Sequence, residues 1–158
     1  MTEFVIEPKK YKIEEFSNFL QNNTKVVLSE ESIELINDSR KILENAVQNG
    51  DTIYGVNTGF GKLSQVKIPD NKIAKLQENL ILSHATGLGK PIDNNLVRLI
   101  ILTKIISLAK GSSGIRIEII QRLIDFLNLN CLPIIPSQGS VGASGDLAPL
   151  AHMTLPIL

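Results

Sequence analysis

The stretch "GSVGASGDLAPLAHM", residues 139–153, has three glycines, and small residues surround Ser144 within it. The first carboxylate after this serine belongs to Asp146. Glycine allows close approaches and backbone conformations that larger residues block. Three kinds of site need such a stretch: a loop that binds phosphate, a serine nucleophile, or a backbone that reacts with itself. A plain glycine-rich turn is the fourth possibility.

The phosphate-binding readings fit this stretch poorly. A dinucleotide-binding loop needs G-x-G-x-x-G after a strand, and the glycines here are spaced differently. A P-loop needs lysine followed by serine or threonine, and no lysine follows Lys110. A serine hydrolase fits better, because residues 142–145 match G-x-S-G. Its base would be a histidine: His152 is too near in sequence to be a usual triad partner, whereas His84 is possible.

The composition indicates one globular domain without a nucleic-acid partner. The chain has 158 residues, of which 43% are hydrophobic and 20% charged. Sixteen basic and sixteen acidic side chains cancel, so neither nucleic acid nor an anionic membrane surface is the expected main partner. A single cysteine, Cys131, excludes a disulfide framework. This cysteine usage fits a reducing cytosol, and we expect a cytoplasmic protein.

No segment reads as a signal peptide or a membrane span. The N-terminal "MTEFVIEPKKYKIEEF" contains acidic residues and no apolar core region. The most apolar stretch, residues 96–109, carries Arg98 and Lys104, which a membrane span would rarely accept. It is predicted to be a core helix.

The spacing of apolar residues predicts a mainly α-helical chain. The first helix has Ile13, Phe16, Phe19 and Leu20 on one face, and Ser29 is a good N-cap for the second. "TIYGV" at 52–56 has residues typical of strands, and the run "IRIEII" alternates like a strand although a helix is favoured there. Helices are predicted over residues 11–23, 30–49, 70–87, 93–110 and 115–128, with a further one starting near Leu147.

Four motifs together resemble the aromatic amino acid lyases, the histidine, phenylalanine and tyrosine ammonia-lyases. The first is residues 139–153, and the others are "YGVNTGFG" at 54–61, "NLILSHATG" at 79–87 and "GSSGIR" at 111–116. They occur in the family's order and cover essentially the whole chain. Family chains are much longer. The resemblance therefore implies that residues 1–158 are the helical N-terminal portion of such an enzyme, most similar to histidine ammonia-lyase.

The resemblance implies that Ala143, Ser144 and Gly145 cyclise into 4-methylideneimidazole-5-one (MIO). The amide nitrogen of Gly145 would attack the carbonyl carbon of Ala143, and dehydration of Ser144 would leave an electrophilic methylidene carbon. A glycine-rich backbone permits this close approach. Asp146 would assist this maturation, or act as N-cap of the helix near Leu147, or both. We also expect the positive end of that helix to face the new ring.

Tyr54 is the second candidate for chemistry. By the resemblance it is the base that removes the β-proton of the substrate, and the glycines of its loop would let the loop act as a lid. A tyrosine works as a base near neutral pH only where nearby donors or positive charge lower its pKa. Without the resemblance, a tyrosine packed at the end of a strand is the better reading.

His84, with Ser83 before it, is the third candidate. Its register with Ile73 and Leu80 predicts a buried position, where a histidine is usually a core residue with one hydrogen bond. In the family this position faces the ring of the substrate, and a Ser-His pair resembles histidine ammonia-lyase. An imidazole can hydrogen-bond a substrate imidazole and so reject other rings. Ser83 and His84 are therefore predicted to bind L-histidine.

The expected reaction is elimination of ammonia from L-histidine to give trans-urocanate. No cluster of ligand residues at metal spacing occurs, so no metal cofactor is expected. Phenylalanine or tyrosine ammonia-lyases and MIO-dependent aminomutases share these motifs and remain alternatives. A non-catalytic binding or assembly module is an alternative of a different class.

The family's active sites are assembled from several subunits of a homotetramer. We therefore expect the 158-residue chain alone to be inactive, with residues 143–145 unmodified. It should self-associate to cover apolar helix faces.

Overall fold

The computed structural model describes residues 2–22, 24–59, 68–142 and 145–158. Ala143, Ser144 and the end of the glycine-rich loop after Gly59 lie outside the described residues. The described part is mostly helical, as predicted, with four short strands. In chain order the elements are β1 (Glu3–Ile6), α1 (Ile13–Gln21), β2 (Lys25–Leu28), α2 (Glu30–Gln48), α3 (Ile73–His84), β3 (Leu88–Pro91), α4 (Asn94–Leu108), α5 (Ile117–Asn128), β4 (Pro136–Gln138) and α6 (Ala148–Thr154).

Side-chain caps set the start of two helices. The Ser29 hydroxyl accepts the amide of Ser32 at 3.1 Å, so α2 begins at Glu30 as its sequence predicts. Asp93 accepts the amide of Asn95 at 2.8 Å and begins α4 in the same way. The alternating run after Ile115 is helical from Ile117, because its apolar residues line one buried face.

One local prediction is wrong, and one residue of a predicted apolar face is exposed. Ile13 belongs to the apolar face of α1 but is 79% exposed, because it is the first residue of the helix and lies before the turn that packs on the core through Phe19. The strand-like "TIYGV" forms no strand, and residues 54–57 make a turn.

The first sheet consists of two parallel strands, β1 and β2, paired from Glu3–Lys25 to Ile6–Leu28. The other edge of β2 is occupied at Val26 by a side chain. Asn128, the last residue of α5, accepts the Val26 amide at 2.7 Å and donates to the Val26 carbonyl at 2.9 Å. This pair of bonds fixes the end of α5 against the sheet.

The core lies between α4 and α5. Helix α4 is apolar on most of its circumference and buries residues on several sides, as predicted for a helix packed between neighbours. Phe19, Ile36 and Met153 join this core from α1, α2 and α6. The buried residues of the two central helices are Val97, Ile101, Leu102, Ile105, Ile106, Leu108, Ile120, Leu123, Ile124 and Leu127.

The second sheet brings two of the sequence motifs together. Strand β3 begins at Leu88, shortly after α3 ends at His84, and β4 ends at Gln138, directly before Gly139. The two strands are antiparallel, with Leu88 opposite Gln138. The end of α3 therefore lies beside the start of the glycine-rich stretch.

Candidate active site

Tyr54 lies on a tight turn held by two buried polar side chains. Asn57 accepts the Ile53 amide and donates to the Asp51 carbonyl, each at 2.8 Å. Thr58 accepts the Gly55 amide at 3.2 Å. Asn57 and Thr58 are fully buried, whereas the Tyr54 side chain is 63% exposed. The side chains inside the turn thus hold the backbone in a shape that presents Tyr54 outward.

Gly55 is needed at this turn because its φ is +73°, a conformation that other residues rarely adopt. The turn is joined to α3 by Gln77, whose Nε2 donates to the carbonyls of Gly55 and Val56 at 3.1 Å each. Sequence reasoning missed Gln77. The available signal was a polar residue two helical turns before His84, on the same face.

His84 is the last residue of α3 and is half-buried. Its Nδ1 lies 2.6 Å from the Leu80 carbonyl, which can only accept, so Nδ1 carries the proton of this bond. In the neutral ring Nε2 is then an acceptor. The hydroxyl of Ser83 lies 3.1 Å from the same carbonyl and 3.2 Å from His84 Nδ1. The Ser83 hydroxyl is therefore within hydrogen-bond distance of the His84 ring.

The predicted buried stripe on α3 is only half-buried. Ile73, Leu76 and Leu80 are all of intermediate exposure, and none of the residues in this helix is fully buried. The prediction of a buried His84 is wrong to that extent, because α3 lies at the surface of the described chain.

Asp146 organises the glycine-rich stretch. Its Oδ1 accepts the Ser140 amide at 2.8 Å, the Ser140 hydroxyl at 3.2 Å and the Ala148 amide at 3.1 Å. These bonds, the Ser140 amide first, lower the pKa of the Asp146 carboxyl. Asp146 does not occupy the N-cap position predicted for it, because α6 begins at Ala148 and Leu147 is its N-cap residue, without a side-chain cap. Asp146 stands one residue earlier, and the N–H of Ala148, the first residue of α6, donates to its carboxylate.

Glycines make room for this arrangement. A Cβ atom at Gly139 would overlap the Asp146 carboxylate, so only glycine lets the carboxylate lie against the backbone there. Gly145 has a φ of +93°, and a Cβ at this residue would have no atom within 4 Å. Its amide donates to the Gly142 carbonyl at 3.0 Å. Gly145 therefore has a backbone conformation that other residues rarely adopt, with open space where a side chain would stand.

His152 on α6 connects this region to α3. Its Nε2 accepts the Gly87 amide at 2.9 Å, three residues after His84. A Cβ at Gly87 would be only 3.0 Å from that nitrogen, which explains the glycine. Sequence reasoning considered His152 only as a triad base, whereas in the structure it holds the α3–β3 connection.

Helix α3 is thus the common support of the site. Gln77 ties it to the Tyr54 turn, its last residue is His84, and His152 ties the following loop to α6.

In residues 2–22, 24–59, 68–142 and 145–158, no three His, Cys, Asp or Glu side chains are grouped to hold a metal ion. None of the helices described is long and apolar enough to cross a membrane.

Comparison with known proteins gives consistent matches. The family model for aromatic amino acid lyases matches residues 11–158. A histidine ammonia-lyase of Enterobacter sp. (strain 638) is 47% identical over the whole chain, which spans 31% of that protein. The crystal structure of histidine ammonia-lyase from Trypanosoma cruzi has a TM-score of 0.85 at 31% identity, over 99% of this chain and 30% of that one. A phenylalanine aminomutase from Pantoea agglomerans has a TM-score of 0.87 at 36% identity, over 98% and 29%.

Proposed function

The chain belongs to the aromatic amino acid lyase family, and from this premise we propose that it is the N-terminal part of a histidine ammonia-lyase subunit. The reaction would be the release of ammonia from L-histidine to give trans-urocanate. The observation that carries the choice of substrate is His84, whose Nδ1 bond to Leu80 makes Nε2 of the neutral ring an acceptor. An acceptor at this position suits the N–H of a substrate imidazole.

We propose that Ala143, Ser144 and Gly145 form the MIO group. When formed, this group would supply an electrophilic methylidene carbon. Gly145 supports the assignment through its positive φ and its open surroundings. Asp146 would keep the adjacent backbone in place, because its carboxylate holds Ser140 and Ala148 on either side of the tripeptide.

Tyr54 would remove the β-proton of the substrate. Its side chain is exposed on a turn whose backbone is fixed from within by Asn57 and Thr58, so the phenol lies at the surface of that turn. His84 and Ser83 would bind the substrate ring. We further propose that the complete protein is a homotetramer, as the family resemblance implies, and that it is cytoplasmic, as the single cysteine suggests.

The test uses a complete subunit, in which residues 1–158 are continued by the remaining part of a histidine ammonia-lyase chain. Tyr54→Phe should lower kcat by roughly 10²–10⁴-fold, the usual contribution of a general base. The intact mass should still show loss of two waters from residues 143–145. Tyr11→Phe is the matched control, because the Tyr11 hydroxyl accepts the Glu7 amide and donates to the Glu7 carbonyl, away from the proposed site. Near-normal turnover of Tyr54→Phe would exclude Tyr54 as the base.

Substrate choice is tested separately with His84→Phe. This variant should shift the preference from histidine towards phenylalanine, measured as the ratio of the two kcat/KM values. An unchanged ratio would remove His84 from substrate selection.

The likeness to a phenylalanine aminomutase favours a second candidate, an MIO-dependent aminomutase. Such an enzyme would return a β-amino acid rather than release urocanate. Product analysis by absorbance at the urocanate band and by chromatography of amino acids separates the two. Accumulation of a β-amino acid without urocanate would replace the lyase assignment.

A further inference from the structure

We infer that Gln77 is a positioning residue for Tyr54, fastening the turn that carries the proposed base to the helix that carries the proposed substrate-binding histidine. The inference rests on the proposed function for the meaning of Tyr54 and His84, although the contact itself does not. One side-chain nitrogen, Gln77 Nε2, donates to two successive carbonyls, Gly55 and Val56, at 3.1 Å each.

The hydrogen bonds inside the turn hold its backbone conformation, whereas the Gln77 bonds hold the turn against α3. Within the described residues, the side chains of Asn57 and Thr58 bond to groups of residues 51–59, and the Ile68 amide donates to the Asn57 carbonyl at 2.9 Å. Gln77 lies 21 and 22 residues further along the chain, on a different element. It is half-buried, so its amide is partly shielded from water that would compete for the two carbonyls.

The same helix fixes the other end of the site. His84 is seven residues after Gln77, which in an α-helix is two turns, on the same face and roughly 10 Å along the axis. Because a helix of this length is rigid over two turns, the Gln77 bonds set the separation between the Tyr54 turn and His84. A shift of the turn by about 1 Å would be felt in proton transfer, since misplacement of that size can cost about 10²-fold in rate.

The chemistry requires a donor at residue 77. The carbonyls of Gly55 and Val56 can only accept, and an amide supplies the two N–H groups they need. Gln77→Met keeps a side chain of similar length but removes both donors. Gln77→Glu keeps the shape and presents only acceptors, which the two carbonyls would repel.

The experiment measures both variants in the complete subunit, with Lys75→Met as a control at an exposed position of the same helix, outside the four motifs. We expect kcat to fall about 10–100-fold for Gln77→Met and at least as far for Gln77→Glu, with KM changed less than about threefold. Amide hydrogen–deuterium exchange of residues 55–57 should accelerate, while exchange in α4 should not. Lys75→Met should keep the original kcat and exchange.

A double variant distinguishes positioning from general damage. If Gln77 acts through Tyr54, adding Gln77→Met to Tyr54→Phe should lower kcat little further, because the group being positioned is already gone. Multiplicative effects of the two changes, or full kcat in both Gln77 variants, would overturn the inference. If Tyr54→Phe alone leaves kcat intact, the proposed function fails. Unaltered exchange at residues 55–57 would separately refute the tether.

Discussion

Replacing Asn57 by alanine should open the Tyr54 turn. The Asn57 side chain is fully buried and makes two hydrogen bonds of 2.8 Å, one with the Ile53 amide and one with the Asp51 carbonyl. The alanine variant leaves both backbone groups without that partner. A buried group left unpaired costs about 1–3 kcal/mol, and partial access of water to a turn lowers the sum, so we expect about 2–4 kcal/mol for the local opening.

The assay is amide hydrogen–deuterium exchange of a peptide that contains Ile53. At about tenfold per 1.4 kcal/mol, the expected loss accelerates exchange roughly 30- to 700-fold. Peptides from α4 serve as the internal control. The exchange rate of Asn57→Asp should lie between those of the original chain and Asn57→Ala, since the carboxylate still accepts the Ile53 amide but cannot donate to the Asp51 carbonyl. Exchange of the alanine variant within threefold of the original would refute this reasoning.

Three further predictions concern glycines and the Asp146 carboxylate. Gly139→Ala should displace Asp146, because the new Cβ would overlap the carboxylate. Gly142→Ala should be tolerated, because the atom nearest to its Cβ would be 3.8 Å away. Amide NMR shifts in the glycine-rich stretch should therefore change more for Gly139→Ala, and equal changes in the two variants would contradict this. The pKa of Asp146 is lowered from its ordinary value of 3.8, so its hydrogen bonds stabilise the folded loop fully above pH 3.8 and are lost as the pH falls through the lowered pKa. Hydrogen exchange of the Ser140 and Ala148 amides should therefore rise in that pH range. Asp146→Asn should abolish this pH dependence of exchange. Gly111→Ala should lower the free energy of unfolding by more than about 1 kcal/mol in urea titrations, because φ is +66° and the new Cβ would meet the Leu35 backbone; an unchanged midpoint would count against it.

The helices could be predicted from the sequence because their signals are local. Ser29 and Asp93 cap the helices that they precede, and apolar periodicity extends over the following turns. The strands carry no comparable signal. β1 and β2 have four residues each, and α1 separates them in the sequence. Their pairing depends on tertiary packing rather than on the residues of either strand.

The candidate site was predictable as a set of motifs but not as a structure. Tyr54, His84 and Asp146 could be given roles from their motifs, whereas Gln77 and His152 act through hydrogen bonds to backbone groups of distant segments, two from Gln77 and one to His152. Such bonds leave no periodicity and no spacing rule.

The amide of Asn128 has a consequence for the solubility of the chain. An open strand edge can recruit a strand from another molecule, and this is a common start of aggregation. At Val26 that edge already has a donor and an acceptor in place, supplied by one side chain at the end of a helix. Asn128 therefore acts as a one-residue substitute for a neighbouring strand, and together with the burial of Val26 it leaves the β2 edge closed to another strand at that residue.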